Sequence, residues 1–373
     1  MKIVFVCIYS HPSICGVWNR VYNLSKMLIE KGHEVHVFST NFIKGTSEKS
    51  SEYEDFEGIH IHRFKPFFSL GENVKFWNFF SKMKQVNPDF IFAEVYRHPH
   101  TYYALRAAKE LNKPIFLITH APFVSPDLRS NFGNFVAGFY DKYIGKKTIN
   151  QFDRIIAITK WEMPYLINIG VDEKKISYIP NGIPNEFFKI KRKKGKGILF
   201  FGRISPVKDL ETLIMALSRV VIEYPDIEIK IAGPAEDNYK EKLIQLVRNL
   251  NLEKNVIFIP AVYKLDDKIK LIDESEIFVL PSKREAMPQS LIEAMARGKI
   301  VIASDNPGSK EIIGEKNGFL FPISDSGKLA DRIIYSLSKK NEKKLNETRR
   351  NAVSKSENFN WEKIFSDFNK LIK

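Results

Sequence analysis

The sequence predicts an α/β protein built from two doubly wound units, and three observations support this fold class. Short apolar runs rich in Val, Ile and Phe alternate with longer segments of helical period, a pattern typical of βαβ units on parallel sheets. The alternation breaks after Ile179 at four turn-forming residues, Pro180, Asn181, Gly182 and Pro184, and then restarts. A chain of 373 residues also exceeds what one hydrophobic core usually organises.

The predicted elements divide into two sets. Before the break the predicted strands are Lys2–Ile8, Glu34–Ser39, Ile59–Phe64, Asp89–Ala93, Ile115–Thr119, Arg154–Ile158 and Ile176–Ile179. After a basic stretch from Lys189 to Lys196, which we assign to the hinge, they are Gly197–Phe201, Glu228–Ala232, Val256–Ile259, Ile277–Leu280 and Lys299–Ala303. We expect one domain over residues 1–183, completed by a C-terminal helix at about 359–373, and a second over residues 184–358, with ligands in a cleft beyond the carboxyl ends of the strands.

The composition narrows the class of protein. A chain with 44% apolar and 27% charged residues is typical of a soluble globular protein. The net charge of +14 predicts an anionic ligand, but no basic tail is present and nucleic acid is therefore disfavoured. Two cysteines, Cys7 and Cys15, favour a reducing compartment without a structural disulfide. The N-terminal apolar run is too short for a signal peptide, and no run of some 18 apolar residues predicts a spanning helix. We therefore expect a cytoplasmic location.

The segment at residues 281–304 has the strongest chemical signal. An apolar strand ends at Leu280, and Pro288 suits the first turn of a helix that Gly298 stops. The backbone amides at the helix start, near Ser290 and Leu291, together with the helix dipole favour a bound phosphate.

Two carboxylates flank this predicted anion site. Glu285 precedes the helix and Glu293 lies more than one turn into it, so the two cannot easily share one metal ion. On either side of a diphosphate they would accept hydrogen bonds from the hexose and ribose hydroxyls of a nucleotide sugar. A surface Glu and a helix-stabilising Glu would explain the spacing equally well.

A second motif, FFGRISPVKDLETLIMAL, covers residues 200–217. Arg203 follows the strand and Lys208 opens the next helix, so both cations point to the same crevice as a diphosphate clamp. Solvated surface charge is the alternative. No Asp-X-Asp motif accompanies the anion site, and Asp266 with Asp267 is typical of a solvated helix surface, so we expect catalysis without an obligatory metal or cofactor.

Glu285, seven intervening residues, Glu293 and the following AMARG resemble the donor-site signature of glycosyltransferase family 4, in the GT-B superfamily. The resemblance implies a retaining transferase whose donor is a UDP- or GDP-linked sugar. It implies that Glu285 faces the donor sugar, Glu293 binds the ribose, and Arg203 with Lys208 neutralises the leaving nucleoside diphosphate. It also implies a donor-binding second domain and an acceptor-binding first domain, on which the C-terminal helix packs.

The resemblance adds three weaker candidates. Family members carry a Gly pair after the first strand, where this chain has Cys15 and Gly16; Gly16 is a candidate for close approach to the donor phosphate or acceptor, and a simple turn is the alternative. His120 stands where the family places a His that contacts the donor sugar, although Ala121 replaces the usual Asp. Val262 falls where the family packs the nucleotide base.

The acceptor is left open among a glycan, a lipid-linked sugar and a small molecule. Residues 67–84 and 132–147 mix aromatic residues with Lys, as do helices that lie peripherally on anionic membranes, although core packing explains them as well. Arg97, His98 and His100 line the acceptor side or form a solvated loop. Two rival functions are a GT-B nucleotide-sugar epimerase or phosphorylase, and a non-catalytic nucleotide-sugar binding protein.

Overall fold

The computed structural model describes residues 1–13, 15–71, 74–123, 131–189 and 195–372. Their contacts form two compact units, Met1–Pro180 with Ile364–Lys373, and Asn181–Lys363. Most of the basic stretch assigned to the hinge lies outside the described residues. Each unit is built on a mainly parallel sheet with helices between most of its strands, as predicted.

The first unit contains ten strands and six complete helices among the described residues. The strands are β1 Lys2–Val6, β2 Glu34–Thr40, β3 Tyr53–Phe56, β4 Ile59–Phe64, β5 Phe68–Leu70, β6 Val74–Phe76, β7 Phe90–Glu94, β8 Ile115–Ile118, β9 Arg154–Ala157 and β10 Ile176–Tyr178. The helices are α1 Gly16–Glu30, α2 Phe80–Val86, α3 Pro99–Glu110, α4 Asn131–Tyr140, α5 Lys146–Ile149 and α6 Met163–Asn168, and a π-helical turn, Asp141–Gly145, joins α4 to α5.

Eight of these strands form one sheet in the order β10-β9-β8-β7-β1-β2-β4-β3. Neighbouring strands are parallel except β3, which pairs antiparallel with β4. Strand β1 lies between β7 and β2, so the strand order reverses beside it. Such a switch point leaves a crevice at the carboxyl ends of the strands.

The second unit has six strands and eight helices among its described residues. The strands are β11 Ile198–Phe201, β12 Ile229–Ala232, β13 Val256–Ile259, β14 Ile277–Leu280, β15 Ile300–Ser304 and β16 Phe319–Phe321. The helices are α7 Glu186–Lys189, α8 Leu210–Glu223, α9 Asp237–Asn249, α10 Leu265–Asp273, α11 Gln289–Ala296, α12 Pro307–Ile312, α13 Ser326–Leu337 and α14 Glu342–Ser356.

The second sheet is parallel throughout, in the order β13-β12-β11-β14-β15-β16. Its switch point lies between β11 and β14, because the chain proceeds outward from these two strands in opposite directions. The loops that follow β11 and β14 therefore emerge side by side.

The C-terminal helix, α15 Trp361–Asn369, packs on the first unit as predicted. The ring of Phe368 is fully buried and lies 4.9 Å from that of Phe92 and 6.5 Å from that of Phe5, centre to centre. These strand residues come from β7 and β1, so the helix covers the middle of the first sheet.

Of the two alternatives for the segment at 67–84, the described residues do not form a basic aromatic helix. Strands β5 and β6 form an antiparallel hairpin in which Phe68 pairs with Phe76, and only the short helix α2 follows. Trp77 and Phe79, which follow the hairpin, are buried in the core. The second such segment, from residue 132, is helical. No described helix is both long enough and apolar enough to cross a bilayer.

A glycine contact fixes how closely β11 and β12 approach where they end. Gly233 follows β12 with φ 144°, and a Cβ atom there would lie 2.0 Å from the carbonyl oxygen of Gly202. Neither the backbone conformation nor the space admits a side chain.

We expect Gly233→Ala to lower the free energy of unfolding by about 2–3 kcal/mol, because both strain and a backbone clash result. Gly138→Ala is the matched control: its helix α4 leaves nothing within 4 Å of the added Cβ, and the change should be neutral or stabilising. Urea unfolding of both variants measures the difference, and equal stabilities would contradict this packing.

Candidate active site

The loops after β11 and β14 meet in the second unit through an ion pair. Lys208 Nζ lies 2.5 Å from Glu285 Oε1, and both side chains are largely buried. The loops also share a backbone hydrogen bond, from the Lys283 amide to the Val207 carbonyl at 2.9 Å. Two residues that are 77 positions apart thus share one site.

Lys208 is positioned by the tight turn that contains it. It ends a 3₁₀ turn, Pro206–Lys208, and Asp209 then adopts the left-handed conformation with φ 51° before α8 begins. The Asp209 carboxylate accepts hydrogen bonds from Thr212 at 2.9 Å and Ser324 at 2.6 Å. These contacts hold the reversal of the chain that directs Lys208 toward Glu285.

The loop that carries Glu285 rests directly on the backbone of α12. A Cβ atom on Gly308 would lie 2.6 Å from the Glu285 carbonyl oxygen, so only glycine allows this approach. Asn306 Nδ2 donates to the Ser282 carbonyl at 2.9 Å in the same loop. Contacts to the backbone of this loop therefore fix its position, independently of the loop's own side chains.

Helix α11 begins beside this loop. Pro288 is its N-cap residue, and no described side chain caps it. The Leu291 amide donates to the Pro288 carbonyl at 3.1 Å, so this amide is already used. Ser290 is partly exposed at the helix start, where the helix dipole favours an anion.

Arg203 and Val262 lie at the edges of the second unit's core. Arg203 is exposed where β11 ends, and makes no ion pair with any described residue. Val262 is partly buried against the core, and the adjacent Tyr263 is exposed.

Glu293 has a partner that the sequence analysis missed. Its carboxylate is almost fully buried, and Lys268 Nζ lies 2.7 Å from Oε1. The same ammonium lies 4.8 Å from the ring centre of Phe201, the last residue of β11. Asp266 and Asp267, two residues and one residue before Lys268, are exposed on α10. No group of metal-ligating side chains occurs in the described part of the chain.

In the first unit, His120 contacts a buried carboxylate that the sequence analysis also missed. His120 Nε2 is hydrogen-bonded to Oε2 of Glu94, whose side chain is 0% exposed. Glu94 ends β7 and His120 follows β8, so adjacent parallel strands bring the two together.

The backbone around this pair adopts left-handed conformations. The φ angles are 74° at Val95, 68° at Arg97, 57° at His120 and 46° at Ala121. Such angles are costly for residues other than glycine, above all for β-branched Val95, and they concentrate at functional sites.

The solvated-loop interpretation is wrong for Arg97 and His100. Arg97 forms a two-pronged ion pair with Asp141 of the π-helical turn. His100 is fully buried, donates from Nε2 to the Glu94 carbonyl at 2.6 Å and stacks on Trp77. Burial lowers the pKa of His100 to about 3, and nearby His98, the partly exposed N-cap residue of α3, contributes. Desolvation of the imidazolium explains this shift.

Gly16 begins α1, and a Cβ atom there would meet nothing within 4 Å. The space above its backbone is open. Cys15 serves as N-cap residue, with Sγ accepting from the Trp18 amide at 3.4 Å. Cys7 is buried, which raises its thiol pKa, and both cysteines are free thiols.

Two protein-family models match the chain, one over each half. The model described as Glycosyltransferase Family 4 matches residues 14–187, and the model described as Glycosyl transferases group 1 matches residues 183–355. The chain belongs to glycosyltransferase family 4. The resemblance drawn from Glu285, Glu293 and AMARG is confirmed, and the protein is a glycosyltransferase enzyme.

Relatives of this glycosyltransferase match over both units. A protein named as an uncharacterized glycosyltransferase of Methanocaldococcus jannaschii is 27% identical over 400 residues, which cover 100% of this chain and 98% of that protein. The phosphatidyl-myo-inositol mannosyltransferase of Mycolicibacterium smegmatis is 25% identical over 357 residues, covering 90% and 84%. The crystal structure of Anabaena HepE with UDP and glucose has a TM-score of 0.76 at 21% identity, covering 100% and 99%. This likeness confirms the predicted GT-B fold.

The buried neutral His100 predicts that the transferase loses stability in acid. Its folded-state pKa lies below the ordinary value of 6.5, so the unfolded chain binds a proton that the folded chain does not. The contribution of neutral His100 to the free energy of unfolding is present above about pH 6.5 and is lost as the pH falls toward the folded pKa. The loss amounts to about 2 kcal/mol between pH 7.5 and pH 5. Urea unfolding at both pH values should show a smaller decrease for His100→Gln than for the wild type. The same decrease in both proteins would exclude this contribution.

Proposed function

We propose that the glycosyltransferase moves a sugar from a UDP- or GDP-linked donor to an acceptor hydroxyl with retention of the anomeric configuration. The second unit binds the donor and the first binds the acceptor. The observation that carries the proposal is the contact of Lys208 with Glu285 beside the start of α11. This contact brings together three features at one switch point: a cation, a carboxylate that can accept hydrogen bonds from sugar hydroxyls, and a helix N-terminus.

The diphosphate rests at the start of α11, near Ser290, between Arg203 and Lys208; Leu291 lies beside it, but its amide donates to the Pro288 carbonyl instead. Breaking the bond from sugar to diphosphate builds negative charge on the leaving group and oxocarbenium character on the sugar. Fixed cations and amides stabilise that leaving-group charge. Arg203 is the mobile member of the clamp, because it is exposed and has no described ion-pair partner.

Glu285 and Lys208 exchange partners when the donor binds. Without a ligand they neutralise each other at 2.5 Å. A diphosphate is a better partner for Lys208 because it carries more charge, and its arrival frees Glu285 Oε1 to accept a hydrogen bond from a sugar hydroxyl. The ion pair therefore holds both side chains in position, with their charges neutralised, before the donor binds.

The remaining roles follow the family resemblance. Glu293 accepts from the ribose hydroxyls while Lys268 holds its carboxylate, Val262 packs on the base, His120 contacts the sugar, and Gly16 lets a phosphate or acceptor approach the backbone. The Anabaena HepE structure, which holds UDP and glucose, supports a nucleotide-sugar donor. Arg203 and Lys208 take the place of a metal ion in neutralising the diphosphate.

We expect Arg203→Ala and Glu285→Ala each to reduce sugar transfer about ten-fold or more, since each removes a charge-assisted contact of about 1.5–3 kcal/mol. The assay follows transfer from a panel of UDP- and GDP-sugars in the presence of EDTA, with the product anomer read by NMR.

Arg219→Ala is the matched control, because Arg219 is an exposed arginine of the same unit that pairs with Asp331. Unchanged transfer in both site variants would remove the donor-site assignment. Product formed without acceptor would favour the epimerase alternative.

The surface of α4 and the π-helical turn favours a lipid-linked acceptor at an anionic membrane. The rings of Phe135, Phe139 and Tyr143 are 69%, 53% and 53% exposed and lie in succession along α4 and the π-helical turn, with ring centres 6.3 and 4.7 Å apart. Lys142 lies over Tyr143, and Lys146 and Lys147 follow, exposed. Exposed aromatic rings beside lysines match the chemistry of an anionic bilayer surface.

Phe135→Ser combined with Phe139→Ser should weaken binding to phosphatidylglycerol vesicles about ten-fold or more, because two large apolar side chains no longer enter the bilayer. Ile222→Ser is the control, since Ile222 is 80% exposed on α8 of the second unit. Vesicle co-sedimentation at low salt measures binding. Wild-type protein that stays in the supernatant would rule out the membrane contact.

A further inference from the structure

Glu94 is a charged residue that the proposed reaction does not yet use. It ends β7 at the carboxyl edge of the first sheet, and none of its side chain is exposed. Burying a carboxylate is costly unless its surroundings compensate. Its position beside the switch point of β1 and β7 is where such sheets bind ligands.

The contacts of Glu94 divide between its backbone and its side chain. Its carbonyl accepts from His100 Nε2 at 2.6 Å and from Thr101 Oγ1 at 3.3 Å, which fixes the strand end. Oε2 accepts a hydrogen bond from His120 Nε2, and Oε1 is buried with no hydrogen-bond partner in the described part of the chain. Fully buried Arg20 of α1 compensates the negative charge electrostatically.

The bond to Glu94 determines the tautomer of His120. An ionised carboxylate only accepts hydrogen bonds, so Nε2 of the imidazole must carry the proton. In the neutral ring Nδ1 is then an acceptor, ready for a hydroxyl. A His120 held in the other tautomer would present a donor at the same position.

A second carboxylate supports the segment around His120. Glu162 is fully buried and accepts from Thr119 Oγ1 at 2.7 Å, and from the amides of Ile158 at 2.6 Å and Thr159 at 3.1 Å. It thereby ties the end of β8 to the end of β9. With the left-handed backbone at His120 and Ala121, the side chain is held in one orientation before any ligand binds.

We propose that Glu94 is a positioning residue that fixes His120 with Nε2 protonated, so that Nδ1 accepts a hydrogen bond from a sugar hydroxyl. The proposal rests on the proposed function, because it requires a sugar at His120. It assigns to Glu94 a specificity role for the hexose and no role toward the nucleoside diphosphate.

The first test is the nitrogen-15 NMR spectrum of the ligand-free protein labelled at histidine. Comparison with His120→Gln assigns the His120 ring signals. The wild type should show His120 with Nε2 protonated, and Glu94→Gln, whose amide also offers a donor, should shift this pattern. Glu110→Gln, an exposed carboxylate on α3 that pairs with Arg106, should leave the pattern unchanged.

The second test separates sugar from nucleotide. Glu94→Gln should lower kcat/KM for the nucleotide sugar about ten-fold or more, while the Kd for UDP or GDP stays at the wild-type value. Failure of the wild type to bind any nucleoside diphosphate would refute the proposed function but leave the tautomer result standing. His120 protonated on Nδ1 in the wild type, or a Glu94→Gln protein with unchanged spectrum and kinetics, would overturn the role of Glu94. If Glu94→Gln does not fold, the wild-type tautomer alone decides.

Discussion

The contact of Lys208 with Glu285 depends on how a parallel sheet ends, and the rest of the donor chemistry depends on that contact. Strands β11 and β14 are neighbours although their first residues, Ile198 and Ile277, lie 79 positions apart in the sequence. The loops that follow them emerge side by side. The left-handed turn at Asp209 fixes the first loop, and the close approach of Gly308 to the Glu285 backbone fixes the second. A cation and a carboxylate thus lie together where we propose that a diphosphate and a sugar bind.

The first unit uses buried carboxylates in the same way. Glu94 ends β7 and Glu162 follows β9, the strands on either side of β8, and both bind the segment after β8 that contains His120. Because water is excluded, each buried carboxylate keeps its hydrogen bonds only in a narrow set of geometries. The left-handed backbone at Val95 and His120 persists because these bonds outweigh its strain. Both units therefore fix their polar side chains at strand ends, before any ligand arrives.

Most of this fold follows from patterns that lie close together in the sequence. Apolar runs gave β4, β13 and β14 with their observed bounds, and the helix start after Pro288 came from turn chemistry. The hairpin of β5 and β6 was missed because each of its strands is only three residues long and a true helix follows closely. Glu94 was overlooked although it directly follows a predicted strand. The same strand-end argument that selected His120 would have selected it.

Partners from distant elements could not be predicted. Lys268 lies among the charged residues of α10, and only the packing of that helix against Phe201 turns it toward Glu293. Calorimetric titration with UDP and GDP tests the central claim most directly, comparing the wild type with Lys208→Met and with Lys230→Met, whose lysine pairs with Glu274. We expect a nucleoside diphosphate to bind the wild type and the Lys230 variant alike, and to bind Lys208→Met about ten-fold or more weakly. Equal affinity for all three proteins would contradict it.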